Sequence, residues 1–285
     1  MGVGTEDRRV TTCAATAMGG GMRVVLAPAM HESMYRHPAV RKNLQILADE
    51  FHISVVPPKM EEERAKIAEI ETICLYVERA LYQQDLAGKS VLITSGSCRE
   101  TVDSVRILTT RSSGTMGYEL ALEAFRRGAD VTVVMNTAVH RPVPCVRNIS
   151  IESAEDMRTA VLNELKKHNI DYYVSAAAIS DFVPDAAETK IRSGTPVTLT
   201  LDPAPKLISQ VTGPNVIGFK IGEDAPEAAQ ALLAGQKNII AVAANYPDTM
   251  GSSDGTYRIY RKEADAVDIT GTKKDIAHAL WNAVL

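Results

Sequence analysis

Serines, lysines and a carboxylate recur in this chain just past short apolar runs, an arrangement suited to anion and nucleotide binding. VLITS at 91–95 reads as a buried strand. A Gly-Ser turn opens at Gly96, a long polar stretch follows, and it ends in Arg111-Ser112-Ser113-Gly114 ahead of an amphipathic run. Free N–H groups and the dipole at a helix start favour phosphate, and hydroxyls add donors. Arg99, Arg106 and Arg111 place positive charge nearby. The same serines suit plain helix capping, and both readings stand. Long ordered loops in α/β domains are often functional. The segment carries neither the G-x-x-x-x-G-K-[ST] phosphate loop nor the G-x-G-x-x-G dinucleotide fingerprint.

Further candidates follow other apolar runs. AAAISDF at 176–182 closes the run DYYVSAA, and ligands bind at the carboxyl ends of parallel strands. Small residues there leave room for a flat ring. Asp181 can accept from a ribose or amino group, or simply cap the next turn. Lys190 in ETKIRSG can neutralise developing negative charge, or sit solvated in its loop. Phe219 in GFK can stack on a base or belong to the core. Lys237, ahead of NIIAVAAN, can reach a phosphate or merely end a helix. No H-E-x-x-H motif is present and histidines number six, so no protein-held metal is expected.

The elements that must position these residues form an alternating pattern. Strand-like runs fall at 23–27, 53–56, 90–94, 130–134, 145–150, 171–177, 197–201, 215–221, 238–243, 257–261 and 265–269. Helical patterns fall at 38–50, 61–85, 115–127, 153–168, 205–211, 225–235 and 273–284. Strands alternating with amphipathic helices predict a Rossmann-like, mostly parallel, doubly wound α/β sheet. VTLTL and YRIYRK alternate without helices between them and predict a small antiparallel addition. In the helix near 115–127, Glu123 can pair with Arg127 and Gly128 suits the end. A boundary falls where the charged run to Gln83 meets Asp85-Leu86-Ala87-Gly88, giving segments 1–87 and 88–285.

The chain has 285 residues, 45% hydrophobic and 23% charged, with net charge −4. That supports one large or two modest cores. No overall basic excess points to nucleic acid, and no apolar run is long enough for a membrane-spanning helix. Four scattered cysteines without a C-x-x-C pair fit a reducing cytoplasm.

Seven segments together resemble the phosphopantothenate–cysteine ligase family: ITSGSCRETVDSVRILTTRSSGTMG, AAAISDF, KIR, DPAPKLI, VIGFK, KNIIAVAAN and MGSSDG, in the family's order over roughly 90–285. The resemblance implies Mg²⁺-assisted activation of 4′-phosphopantothenate by CTP (ATP in some members), then capture of the acyl-nucleotide by L-cysteine. It implies nucleotide contacts at Gly96, Ser112, Ser113, Gly114, Ser175, Ala176, Ala177, Asp181, Pro205, Lys206, Leu207, Ile208, Phe219 and Lys237. Lys190 takes the place of a charge-stabilising lysine, Arg106 reaches a triphosphate across a homodimer, and Thr110 stands where the family has an asparagine used in the second step. The chain also departs from the pattern at Thr115, Ser193 and Leu233.

VVLAPAMHESMYRHPAVRKNLQIL is similar to the second half of the flavin-dependent phosphopantothenoylcysteine decarboxylase, often fused ahead of the ligase. His31 stands at that family's substrate-contacting asparagine. The resemblance implies a partial flavodoxin-like segment lacking much of the FMN pocket, hence a chain that does not decarboxylate alone unless a partner chain supplies the missing half. A non-catalytic partner subunit of a decarboxylase is the alternative from a different class.

Overall fold

The computed structural model describes residues 22–249 and 251–285. The chain divides into two units, Met1–Gln84 and Asp85–Leu285. In the first, Val25–Leu26 pairs in parallel with Ser54–Val55. Helices Glu32–Tyr35 and Pro38–Asp49 lie between them in sequence. His37 caps the second of these helices, its ring accepting from the Ala39 N–H at 3.2 Å, and Pro38 occupies the first turn, where its missing N–H costs nothing.

The helix expected over 61–85 is shorter, Ile70–Leu81. Residues 59–66 instead form a hairpin, Lys59–Glu61 against Arg64–Lys66. Glu62 and Glu63 turn it with φ of 50° and 58°. The charges serve this hairpin and its surroundings: Lys66 meets Glu61 across it at 3.4 Å and Glu62 in its turn at 3.0 Å, and Lys59 meets Glu69 beyond it at 2.8 Å.

The second unit holds an eight-stranded sheet. Its elements are β1 (Ser90–Ser95), α1 (Thr115–Arg126), β2 (Asp130–Met135), β3 (Arg147–Ser150), α2 (Ala154–Lys167), β4 (Tyr172–Ser175), β5 (Asn215–Ile221), α3 (Ala225–Gly235), β6 (Ile239–Asn245), β7 (Asp254–Arg261), β8 (Ala264–Thr272) and α4 (Lys273–Val284). The spatial order is β3-β2-β1-β4-β5-β6-β7-β8. The first six strands are parallel, and β7 and β8 add antiparallel. The chain runs outward one way from β1, then returns to start the other way at β4, so the crevice between their carboxyl ends is a topological switch point.

The central strands are apolar throughout because both faces are covered. Val91, Leu92, Ile93, Val216, Ile217, Ala241 and Val242 are fully buried. Met157 and Val161 of α2 share a cluster with Ala225, Ala229 and Leu233 of α3. α1 packs against α4, where Trp281 donates to the Leu120 carbonyl at 3.1 Å and meets Tyr172 edge-on. The expected Glu123–Arg127 pair is present at 2.9 Å. Arg127 also holds Asp85 at 2.9 Å and Asn282, joining the start of the unit to its last helix.

Two expectations need correction. Strand pairing near 197–201 involves Leu201–Pro203, which joins Phe182–Pro184 in a separate antiparallel ribbon. The helix at 205–211 is one 3₁₀ turn, Leu207–Gln210, because Pro203 and Pro205 hold the preceding residues extended.

Candidate functional site

A cleft opens where β1, β4, β5 and β6 end. Ser112 to Gly117 form one wall, Ala176 to Ala178 and Phe219 to Ile221 another, and Asn245, Thr249, Gly251, Tyr257 and Lys273 complete it. Every strand that contributes does so at or beyond its carboxyl end except β7, which offers Tyr257.

The Ser-Ser-Gly wall is built by close approach. Gly114 caps α1 with φ 75° and no side-chain cap bond. The serines sit just ahead of the N-cap, and Ser113 Oγ accepts from the Thr115 N–H at 3.4 Å, so one of them does serve the helix start. Ser112 Oγ accepts weakly from Gly114 N–H at 3.4 Å, and Ser113 Oγ meets Thr115 Oγ1 at 2.9 Å. That leaves the Met116 and Gly117 N–H groups of the first turn of α1 available to a ligand. Gly117 lets α1 lie directly on β1, since a methyl there would meet Ser95 Oγ at 2.3 Å. Ser95 Oγ donates to the Gly114 carbonyl at 3.0 Å, tying the loop to the strand.

His140 holds the same loop from beneath. Its Nε2 accepts from the Ser97 N–H at 2.9 Å and lies 3.1 Å from Ser97 Oγ. A methyl at Gly96 would strike its ring at 2.3 Å. Burial lowers its pKa, a hydrogen bond to the Ser113 backbone works the other way, and the Arg99 charge lowers it further. A neutral ring accepting at Nε2 carries its proton at Nδ1.

The polar insert is a clamp. Asp103 is buried, and its carboxylate accepts from the N–H groups of Val105 (2.8 Å), Arg106 (2.7 Å) and Ile191 (3.0 Å). It also pairs with the Arg106 guanidinium, which reaches the Ile191 carbonyl at 3.2 Å. Burial opposes its ionisation, but these bonds outweigh burial and hold the carboxyl below the usual range. Ala187 N–H adds a bond to the Val102 carbonyl at 3.0 Å. At the other end, Thr110 Oγ1 donates to the Ala178 carbonyl at 3.0 Å, and Ala178 N–H donates to Gly96 at 2.8 Å.

Of the residues expected from sequence, Ser112, Ser113, Gly114, Ala176, Ala177 and Phe219 line the cleft. Gly96, Thr110 and Ser175 support its walls without lining it. Lys190 is exposed beside the Asp103-anchored Ile191, and Asp181 is exposed with its carbonyl accepting from Ala204 N–H at 2.8 Å. Pro205 and Lys206 are exposed, Ile208 packs on the core, and Leu207 is a core residue at 6% exposure. A Leu207 side-chain contact to a nucleotide is therefore replaced by core packing. Lys237 is corrected outright. It precedes the amino end of β6, and the rises from Ile239 to Asn245 alone span roughly 20 Å. Its carbonyl accepts from Lys262 at 2.8 Å. His31 caps the helix Glu32–Tyr35, accepting from Ser33 N–H at 3.3 Å.

Sequence reading missed Asp103, His140, Asn245, Tyr257 and Lys273. Asn245 closes β6 and bonds Thr249, whose Oγ1 donates to the Tyr246 carbonyl at 2.7 Å. Burial raises the Tyr257 phenol pKa, against a bond with Thr249. The signal for Asn245 is its place at a parallel strand's end; His140 and Lys273 carry no local signal.

Among the described residues, no group of three or more His, Cys, Asp or Glu could hold a metal ion. No helix of the described residues is long and apolar enough to cross a membrane. In the first unit, the parallel strands Val25–Leu26 and Ser54–Val55 pair directly.

Comparison with known proteins agrees with this architecture. Residues 86–285 match the DNA/pantothenate metabolism flavoprotein C-terminal domain, and residues 1–81 match the flavoprotein family. The coenzyme A biosynthesis bifunctional protein CoaBC of Thermococcus kodakarensis is 36% identical over 291 residues, covering 99% of this chain and 71% of that protein. The CoaBC of Vibrio cholerae is 33% identical, covering 92% and 69%. A crystal structure of a CoaBC C-terminal domain superposes with TM-score 0.60 at 29% identity, covering 71% of this chain and 96% of that one. The DNA/pantothenate metabolism flavoprotein of Streptococcus pneumoniae shares the fold, with TM-score 0.57 at 20% identity, over 69% and 98%. With a switch-point cleft, a glycine-led helix start and matches that run the length of both units, this chain belongs to the DNA/pantothenate metabolism flavoprotein C-terminal domain family, carried here behind a flavoprotein-family segment.

Proposed function

We propose that the second unit joins 4′-phosphopantothenate to L-cysteine in coenzyme A biosynthesis, through an acyl-nucleotide. A carboxylate oxygen of 4′-phosphopantothenate attacks the α-phosphorus of CTP or ATP, and pyrophosphate leaves. The cysteine amine then attacks the acyl carbon, loses a proton, and the nucleoside monophosphate departs. The observation that carries this reading is the glycine-led start of α1 facing the carboxyl ends of β4 to β6. A phosphate fits the exposed N–H groups, and a base fits between the small residues at 176–178 and Phe219. Mg²⁺ enters with the nucleotide, held chiefly by phosphate oxygens.

Lys190 stabilises charge in the first step from a loop that Asp103 anchors. Two adjoining ribbons, Arg99–Thr101 with Ile107–Thr109 and Phe182–Pro184 with Leu201–Pro203, leave Val105, Ile107, Phe182 and Leu201 exposed. This is the surface for the homodimer contact. Nucleotide choice between CTP and ATP follows from backbone groups at the β4 end.

The test mixes the full chain with 4′-phosphopantothenate, Mg²⁺ and CTP or ATP, with and without cysteine, and follows pyrophosphate and acyl-nucleotide. Phosphopantothenate-dependent pyrophosphate release, completed by cysteine, supports the ligase and names its nucleotide. Acyl-nucleotide stranded in the presence of cysteine points to Thr110, whose hydroxyl is already bonded to Ala178. No release with either nucleotide refutes the ligase and favours a non-catalytic partner subunit.

A further inference from the structure

The cleft contains a cation that its sequence context does not advertise. Lys273 is the first residue of α4, just after Thr272, which forms a capping box with Asp275. It lines the cleft, yet only 5% of it is exposed. Among the described residues its ammonium has neither a carboxylate partner nor a hydrogen bond. Asp275, the nearest carboxylate in sequence, is spent on Thr272, bonding its N–H at 2.9 Å and its hydroxyl at 2.6 Å.

This placement opposes stability in two ways. Burial disfavours the charged form and lowers the pKa. A cation at the first position of a helix also opposes the helix dipole. Buried charges in folded proteins are normally paired, so a missing anion is the natural partner. Facing the same cleft is the glycine-led start of α1, with Met116 and Gly117 in its first turn. Two independent positive poles thus line one space: the start of a twelve-residue helix and the ammonium of a largely buried lysine without a carboxylate partner.

We infer that Lys273 is a phosphate receptor, gripping phosphate oxygens of the bound ligand together with the start of α1. The inference rests on the phosphate-ligand reading of this cleft and adds the residue at the start of α4 that secures the anion. The ligand's phosphate belongs either to a nucleoside triphosphate or to a phosphate monoester substrate, and the two share the same recognition chemistry.

The experiment titrates the full chain calorimetrically with CTP, ATP and 4′-phosphopantothenate, for wild type, Lys273→Met and Lys273→Arg, and melts each variant. Wild type binds at least one probe. Lys273→Met weakens that binding tenfold or more, as loss of a charge-assisted contact predicts, while its melting temperature holds or rises. Lys273→Arg retains more affinity than Lys273→Met. The probe that loses affinity identifies which phosphate the lysine meets. If wild type binds and Lys273→Met binds every probe as tightly, the role of Lys273 is wrong and the cleft stands. A lowered melting temperature in Lys273→Met makes the lysine structural and overturns the inference. If wild type binds none of the probes, the phosphate reading of the cleft falls, and this inference with it.

Discussion

Replacing Gly117 with alanine probes the contact on which the phosphate wall depends. The added methyl would lie 2.3 Å from Ser95 Oγ, 2.5 Å from Ser95 Cβ and 3.1 Å from Ser95 Cα. Ser95 is fully buried at the end of β1, in register with Met135 of β2, and its hydroxyl already serves the Gly114 carbonyl. It has nowhere to go. Carbon atoms pack best at roughly 3.5–4.0 Å, so the start of α1 must retreat by about 1 Å. Overpacking of this kind costs about 1–3 kcal/mol, and alanine returns about 1 kcal/mol in helix propensity. A net loss of up to about 2 kcal/mol lowers the melting temperature by up to about 8 °C for a unit of this size. The retreat also takes the Met116 and Gly117 N–H groups out of hydrogen-bond range of a fixed phosphate. Losing one bond to a charged group, about 1.5–3 kcal/mol, weakens nucleotide binding by about 10–100-fold. Calorimetric titration with CTP and ATP, alongside thermal melts, measures both effects. Gly235→Ala is the control, because nothing lies within 4 Å of its added methyl. A Gly117→Ala protein that melts and binds like wild type would refute the claim that α1 is seated on Ser95 through this glycine.

Two further outcomes follow from the clamp residues. The His140 pKa is lowered in the folded chain, so its neutral form is favoured there. Its contribution is present above the ordinary histidine value near about 6.5 and is lost as pH falls through that value to the depressed one. Nucleotide affinity and melting temperature should therefore be flat from pH 7 to 8 and decline below, with the decline reduced in His140→Gln; equal pH profiles for the two proteins would rule this out. Asp103→Asn removes the charge that gathers Val105, Arg106 and Ile191. Hydrogen exchange at those three amides should accelerate, and pyrophosphate release should fall tenfold or more as Lys190 loses its anchored loop; unchanged exchange with unchanged turnover would separate the clamp from function.

Local patterns in the chain carry information about its own elements and motifs. The apolar runs at 90–95 and 239–245, bounded by glycine and polar turns, specify buried parallel strands whatever surrounds them. Pairing of Glu123 with Arg127 is one helical turn long and legible as such. The Ser-Ser-Gly segment announces itself because it opens an amphipathic helix, and the small residues at 176–178 because they follow a strand directly. The failures are equally physical. Residues 61–69 satisfy helix spacing, yet Glu62 and Glu63 turn left-handed and the same charges pair across a hairpin. Lys237 has the right charge at the wrong end of β6, which only strand direction reveals.

Which residues share the cleft was decided in three dimensions. The chain order of β1, β4, β5 and β6 is not their whole story: β2 and β3 lie on the other side of β1, and this reversal creates the crevice. His140 arrives there from 26 positions after Gly114, Asp103 meets Ile191 across 88 positions, and Lys273 comes from the final helix. Sequence fixes what each short segment prefers, because hydrogen bonds along a helix and alternation along a strand are local. It cannot by itself bring separated side chains to one anion, because that depends on sheet order and on where burial leaves a charge without a partner.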